Sequence, residues 1–477
     1  MHLRSPATRL TALALLILGA TLPSPATPSV PPAIARAVCG PGSLPEPTTQ
    51  AQGRVTQQDL NQGTGRHCNL ELVGHEGDLA GFRTWRYVDA AGRVCAYYDS
   101  TPYLQTRARS SYKNLDFQGT HVLDVTDPAH PRRIGSLETP AMASPHESLN
   151  VNYRRGLLAA DLGNLATGPG FVDVYSIRAD CRHPKLQFSL PIGGLGHEGA
   201  FSPDGNTFWV SAPWGIYANR NIGNLTAIDI SIPRAPRVIW TATHYLAHGF
   251  NLSPDGNRLY YGDLGTNRGL TILDVSQVQA RTLLPKVTVL SHLTWPEVSL
   301  PQTDIPISIG GHPYLFEVDE FTHDTISNFF THKSFTRPED MVGAARIIDI
   351  ADVTHPRVVS NIRLEVNQPA ARVGAQSSDP GANTATSYTA HYCAVPRAND
   401  PGIVACGFNL SGLRVFDIHD PANPREIAYF NPPTSTPTVP YQAMSAAAFD
   451  PAHQQIWYTD ANYGFYVLRV TNGVWTP

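Results

Sequence analysis

Five histidines stand just ahead of short strand-like stretches: His146 in SPHESLNVN, His197 in GLGHEGAFSPDG, His248 in YLAHGFNLSPDG, His312 in GGHPYLFEV and His391 in YTAHYCAV. The chain holds 18 histidines in 477 residues, so five in matching register exceed what that density gives by chance. Neutral imidazole is the commonest protein ligand for transition metals. An all-imidazole set suits copper or iron, with zinc behind them, and disfavours Ca²⁺ and Mg²⁺, which prefer oxygen. The competing chemistry is a polar, water-filled channel in which the imidazoles bond one another and solvent. Glu147 and Glu198 directly follow two of the histidines. On a strand, neighbours point to opposite faces, so each pair is expected to offer its histidine and not its carboxylate as a ligand. A glutamate from a neighbouring unit can instead accept the proton of a ligand's second nitrogen and fix its tautomer. Pairing with an arginine or a backbone amide explains these carboxylates equally well. No residue stands out as a catalytic acid or base, and GxSxG, HExxH, P-loop and Rossmann glycine patterns are missing.

The elements that must position the histidines are legible in a second pattern, out of phase with the first. It runs GTHVLDVTDPAHP, LTAIDISIPRAP, GLTILDVS, ARIIDIADVTHP and GLRVFDIHDPANP, with weaker copies in GFVDVYSIRADCRHP and GFYVLRVTNG. The anchors Asp124, Tyr175, Asp229, Asp274, Asp349, Asp417 and Arg469 lie 51, 54, 45, 75, 68 and 52 residues apart. Seven units of about fifty residues, each with four short strands, predict an all-β, seven-bladed β-propeller. SPDG at Ser202–Gly205 and Ser253–Gly256 supplies hairpin turns. Asp99, Asp161, Asp263 and Asp460 recur at the end of the second strand and read as turn caps. The stretch Asn69–Val73 is expected to pair with Tyr466–Val470, closing the ring and removing its open edge. Histidines at the start of the innermost strands of blades 2 to 6 then converge on the axis. Blade 1 offers Phe82 there and blade 7 offers Ser445 beside Met444, which predicts a metal with open coordination on that side.

Two insertions precede inner strands, Val275 to His312 and Leu364 to His391, and are expected to arch over the histidine face. A third stretch, Glu317 to Arg337, carries Glu317, Asp319, Glu320 and His323. His130, His183 and His355 sit in turns that explain them, and His75 and His323 lie near the same face as the five.

Composition narrows the class of partner. Charged residues make up 16% of the chain, net charge is −4, and Gly (38) and Pro (41) are abundant, which suits tight turns and argues against nucleic acid. Arg4 and Arg9 followed by the apolar run Leu10–Leu22 read as an export signal, too short for a lasting membrane span. The expected layout is signal peptide and processing region 1–37, N-terminal extension 38–68, propeller 69–471 and tail 472–477. A secreted or periplasmic, monomeric protein follows. Six cysteines fit that oxidising setting. Cys393 and Cys406 bracket a turn and are expected to bridge; Cys39 can reach Cys68; Cys95 and Cys181 are left as a possible pair among 15 connectivities.

The segments LDVTDPAHPRRIGSL, IDIADVTHPRVV and FDIHDPANPREIAYF resemble the LVIVD repeat family of bacterial propellers, whose unit reads roughly GLRIVDVSDPANP. The resemblance spans about residues 70 to 470; it implies the fold and is silent on activity. The chain is also distantly similar to selenium-binding-protein and methanethiol-oxidase propellers, in which histidines are associated with copper. The expected function is a metal-dependent oxidoreductase acting on a small organic substrate. The other class is a non-enzymatic propeller that binds a protein or glycan through its top face.

Overall fold

In the computed structural model, residues 30–77, 79–100, 119–161, 170–192, 196–213, 224–296, 298–321, 342–372, 379–381 and 387–476 are described below. The expected signal segment, His323 and residues 373–378 and 382–386 of the second insertion lie outside them. Among the described residues no helix is long and apolar enough to cross a membrane.

Seven antiparallel sheets carry the unit from Pro31 onward. Blade 1 runs Thr84–Val88, Val94–Asp99, Thr120–Asp124 and Arg132–Leu137 from the axis outward. Blades 2, 3 and 4 repeat this order, with innermost strands Asn150–Asn152, Glu198–Phe201 and Ala247–Leu252. Blade 6 starts at Cys393–Ala394 and gains a fifth strand, Arg66–Cys68, on the outer edge of Arg425–Asn431. Blade 7 is closed by both ends of the chain: Leu70–Glu76 pairs antiparallel with Gly464–Val470, so the expected closure is present.

Every anchor of the second pattern falls on the third strand of its blade, and local chemistry explains the motif. The Asp carboxylate ending that strand accepts the N–H two residues on: Thr126 at Asp124, Ser231 at Asp229, Ser276 at Asp274, Ala351 at Asp349 and His419 at Asp417. Such Asx turns reverse the chain without help from elsewhere. In the same blades a register shift falls between the third and outer strands one or two residues before the Asp, at Val122/Leu123, Ala227/Ile228, Ile272/Leu273, Ile347/Ile348 and Val415/Phe416. A bulge there adds twist, as each blade of a propeller requires. The faces between blades are apolar: Leu157, Ala159, Val172 and Val174 of blade 2 pack on Phe208, Val210 and Ile228 of blade 3.

Three disulfides join Cys39 to Cys68, Cys95 to Cys181 and Cys393 to Cys406, and they fit an extracellular or periplasmic setting. Cys95–Cys181 spans 86 residues and ties blade 1 to the turn that leaves the third strand of blade 2. The double variant Cys95→Ala/Cys181→Ala is expected to lose about 2–5 kcal/mol of stability, read from urea denaturation against the unaltered chain.

Blade 5 departs from the expected layout. Its innermost strand is Leu300–Ile309, inside the stretch expected to arch over the site as an insertion. That same stretch also holds the outer strand of blade 4, Thr288–Leu293. Pro301 and Pro306 argue against a strand in sequence, yet the innermost strand is a sheet edge, where a missing N–H costs no ladder bond. His312 therefore opens the second strand, His312–Glu320, after a hairpin tip at Gly310 and Gly311, both with positive φ.

Candidate metal centre

Four of the five histidines meet at the axis: His146, His197, His248 and His391, all buried. His312 does not join them. It sits at the hairpin tip of blade 5 with its side chain 43% exposed, and its Nε2 lies 2.9 Å from Asp349 Oδ1.

The four imidazoles surround one carboxylate. Glu147 Oε2 is 2.8 Å from His197 Nε2 and 3.9 Å from His248 Nε2; Oε1 is 3.3 Å from His391 Nε2 and 3.9 Å from His146 Nε2. A second carboxylate, Glu320, stands 3.0 Å from His391 Nε2 and 3.5 Å from His248 Nε2. His146, Glu147 and His197 each place a ligand atom within 4.8 Å of the other two, so this group could hold a metal ion.

The adjacent residues His146 and Glu147 share one site because the chain is not a strand there. His146 has φ +50°, in a turn closed by the Ser148 N–H on Pro145 C=O, and the blade 2 inner strand begins only at Asn150. The alternation expected from strand geometry is thus broken, and Glu147 turns inward. It holds one blade on: His197 faces the cluster while Glu198, opening its strand, points away to Arg83 and Tyr392.

Two backbone carbonyls fix the tautomers. His248 Nδ1 lies 2.8 Å from Pro301 C=O, and His391 Nδ1 lies 2.7 Å from Met444 C=O. A carbonyl only accepts, so each Nδ1 carries the proton and donates it. Each Nε2 then turns its lone pair toward carboxylate oxygens. That arrangement is repulsive unless a proton or a metal cation lies between them. With protons alone, burial opposes charge on His391, but Glu320 and Glu147 push its pKa up to about 10. Burial pushes His146 and His248 down to about 3. Burial also opposes ionisation of Glu147, yet His197 and His146 hold it well below the usual carboxylate range.

The side expected to be open is closed by an apolar wall. The Phe82 ring lies 4.4 Å from His146 and 5.4 Å from His391 between centroids, and packs with Met444. Ser445 is turned to Thr84 and the Thr459 N–H instead. Below the histidines a polar plug crosses the channel. Arg83 donates from Nη2 to Glu198 (2.5 Å) and from Nε to the Glu147 carbonyl (3.1 Å). Tyr392 donates its hydroxyl to Glu198, and Gln302 donates to Tyr392 at 2.6 Å.

No protein-family model matches this chain, and no curated protein matches it. Solved structures similar to it include a periplasmic gluconolactonase from Pseudomonas aeruginosa, 14% identical, covering 73% of this chain and 89% of that one at a TM-score of 0.45. A functionally unknown protein from Desulfotomaculum acetoxidans is 14% identical over 76% of this chain and 89% of its own, with a TM-score of 0.44. Hydrazine synthase from Kuenenia stuttgartiensis is 12% identical over 83% and 97%, with a TM-score of 0.48. Likeness at this level concerns chain architecture and nothing chemical.

Arg83 and Tyr392 are site residues that pattern reading missed, and Glu320 appears in the third stretch without a role at the axis. Glu320 had a signal. It ends the second strand of blade 5, where Asp99, Asp161, Asp263 and Asp460 end theirs. Those shorter side chains are spent on nearby backbone N–H groups, Asp99 accepting that of Phe82 at 2.7 Å, Asp263 that of Gly265 at 2.8 Å and Asp460 that of Asn462 at 2.9 Å. One more methylene lets Glu320 reach the axis.

Gly249 sets the approach of blade 4 to blade 5. A Cβ there would lie 2.1 Å from the Gln302 carbonyl and 2.9 Å from Glu198 Oε1. Gly249→Ala is expected to push His248 off Pro301 and weaken metal retention about 10- to 100-fold, as loss of an orienting contact does. Equilibrium dialysis against a chelator of known affinity reads the change.

Proposed function

We propose that the axial cluster binds one transition-metal ion, copper or iron ahead of zinc, and that the protein is a metal-dependent oxidoreductase acting on a small organic substrate. One observation carries the reading: the Nδ1–H of His248 and of His391 is spent on a backbone carbonyl, which aims both Nε2 atoms at Glu147 and Glu320. Metal-binding histidines are commonly oriented in this way. His146, His197, His248 and His391 would supply nitrogen and Glu147 oxygen, with Glu320 as a further oxygen or as a partner of His391. Mixed imidazole and carboxylate donors suit iron or copper. When bound, such an ion supplies one-electron chemistry and activation of dioxygen or substrate. The chain's own contribution is to fix ring orientation and to exclude water by burial, with Phe82 and Met444 packed beside the histidines.

The same reading takes the chain as an LVIVD-type propeller, on the strength of the LDVTDPAHP-like repeats that fall on third strands. It divides the chain into signal and processing region 1–37, extension 38–68, propeller 69–471 and tail 472–477. It holds the protein to be exported, with three disulfides in support, and to be monomeric and free of nucleic-acid partners. The test is metal analysis of protein purified from its natural compartment, followed by oxygen-consumption assays of the loaded protein on a panel of small organic reductants. Stoichiometric metal with substrate-dependent oxygen uptake is the expected result. Metal without turnover on any substrate would favour storage or delivery, and no metal at any loading would end the proposal.

A further inference from the structure

The end of the channel opposite the histidines holds a cavity of about 390 Å³, within the range of small-molecule sites. It lies beyond the plug, so it is separate from the metal centre. Ala446, Ala447 and Ala448 line it in succession, and their small side chains leave the space. Its walls are aromatic at Trp85, Tyr153 and Phe449.

The only side chains with full charges among its described lining residues are two arginines, Arg83 and Arg86. Each has donors left over. The Arg83 side chain is 9% exposed; Nε and Nη2 are engaged, and Nη1 has no hydrogen-bond partner among the described residues. Arg86 donates from Nη2 to Asp450 at 2.8 Å, while its buried Nε lacks a partner. The Arg83 Nη1 N–H groups are thus available to an acceptor in the cavity, where an anionic one gives the stronger hydrogen bond. A carboxylate matches a guanidinium in charge and planar geometry, and an aromatic ring matches the walls.

We propose that this cavity is a second binding site, for a small aromatic carboxylate whose anionic end meets Arg83 and whose ring lies among Trp85, Tyr153 and Phe449. The probe is benzoate, with benzamide as its uncharged counterpart, titrated calorimetrically into the full-length protein. One benzoate per chain is expected, with benzamide at least about tenfold weaker, the loss of a charge-assisted hydrogen bond. Arg83→Gln should remove the preference for benzoate. Because that change also touches Glu198, Val395→Trp is the second variant. It fills the cavity from a lining position outside the plug, and should abolish binding while leaving metal content unchanged. Equal binding of benzoate and benzamide would overturn the proposal. So would full benzoate binding by Val395→Trp, or no saturable benzoate signal up to about 10 mM, the weak limit for so small a ligand.

Discussion

His391→Ala and His197→Ala are each expected to lose the bound metal, with affinity falling at least about 100-fold, whereas His312→Ala keeps it. His391 Nε2 lies between both carboxylates and its Nδ1 is anchored, so its removal takes away a ligand and the partner of Glu320. Loss of an orienting neighbour alone costs about 10- to 100-fold, so loss of a ligand lies at or above the upper end. His312 stands at an exposed hairpin tip beside Asp349, and its loss touches a surface pair worth about 0–1 kcal/mol. Metal content of the three purified variants, with circular dichroism confirming the fold, reads the result. Metal lost from His312→Ala would mean that blade 5 is misplaced.

Arg83→Met is expected to lower stability by about 3–5 kcal/mol, the cost of stranding a buried charge. Glu198 is fully buried, its other oxygen is taken by Tyr392, and burial already raises its pKa against the pull of Arg83. Adding Glu198→Gln should recover most of the loss, because the amide retains the Tyr392 contact and carries no charge. Urea denaturation of the two single variants and the double variant gives the coupling. Additive losses would show that Arg83 and Glu198 do not depend on each other.

The ring was legible because its signal is repeated and local. An Asp that caps its own turn and a bulge before it leave the same trace in blade after blade, whatever the blade does for function. The axial histidines on blades 2, 3, 4 and 6 were legible for the same reason, each at or just ahead of the start of an inner strand. Blade 5 was not, because Pro301 and Pro306 hide an edge strand and the Gly310–Gly311 tip then resembles an inner-strand start. Glu147 was misjudged because a single left-handed residue, His146, cancels strand alternation. No pattern of residue types announces that. Glu320, Arg83 and Tyr392 reach the axis from three different blades, and only the closed ring brings them together.

The most direct test of a metal centre at the axis is an anomalous-difference map from crystals of metal-loaded protein, collected at the absorption edge of the ion found by elemental analysis. The account predicts one strong peak within coordination distance of Nε2 of at least three of His146, His197, His248 and His391, and near Glu147. Loaded crystals with no peak among these atoms, or with their strongest peak at His312 and Asp349, would contradict it.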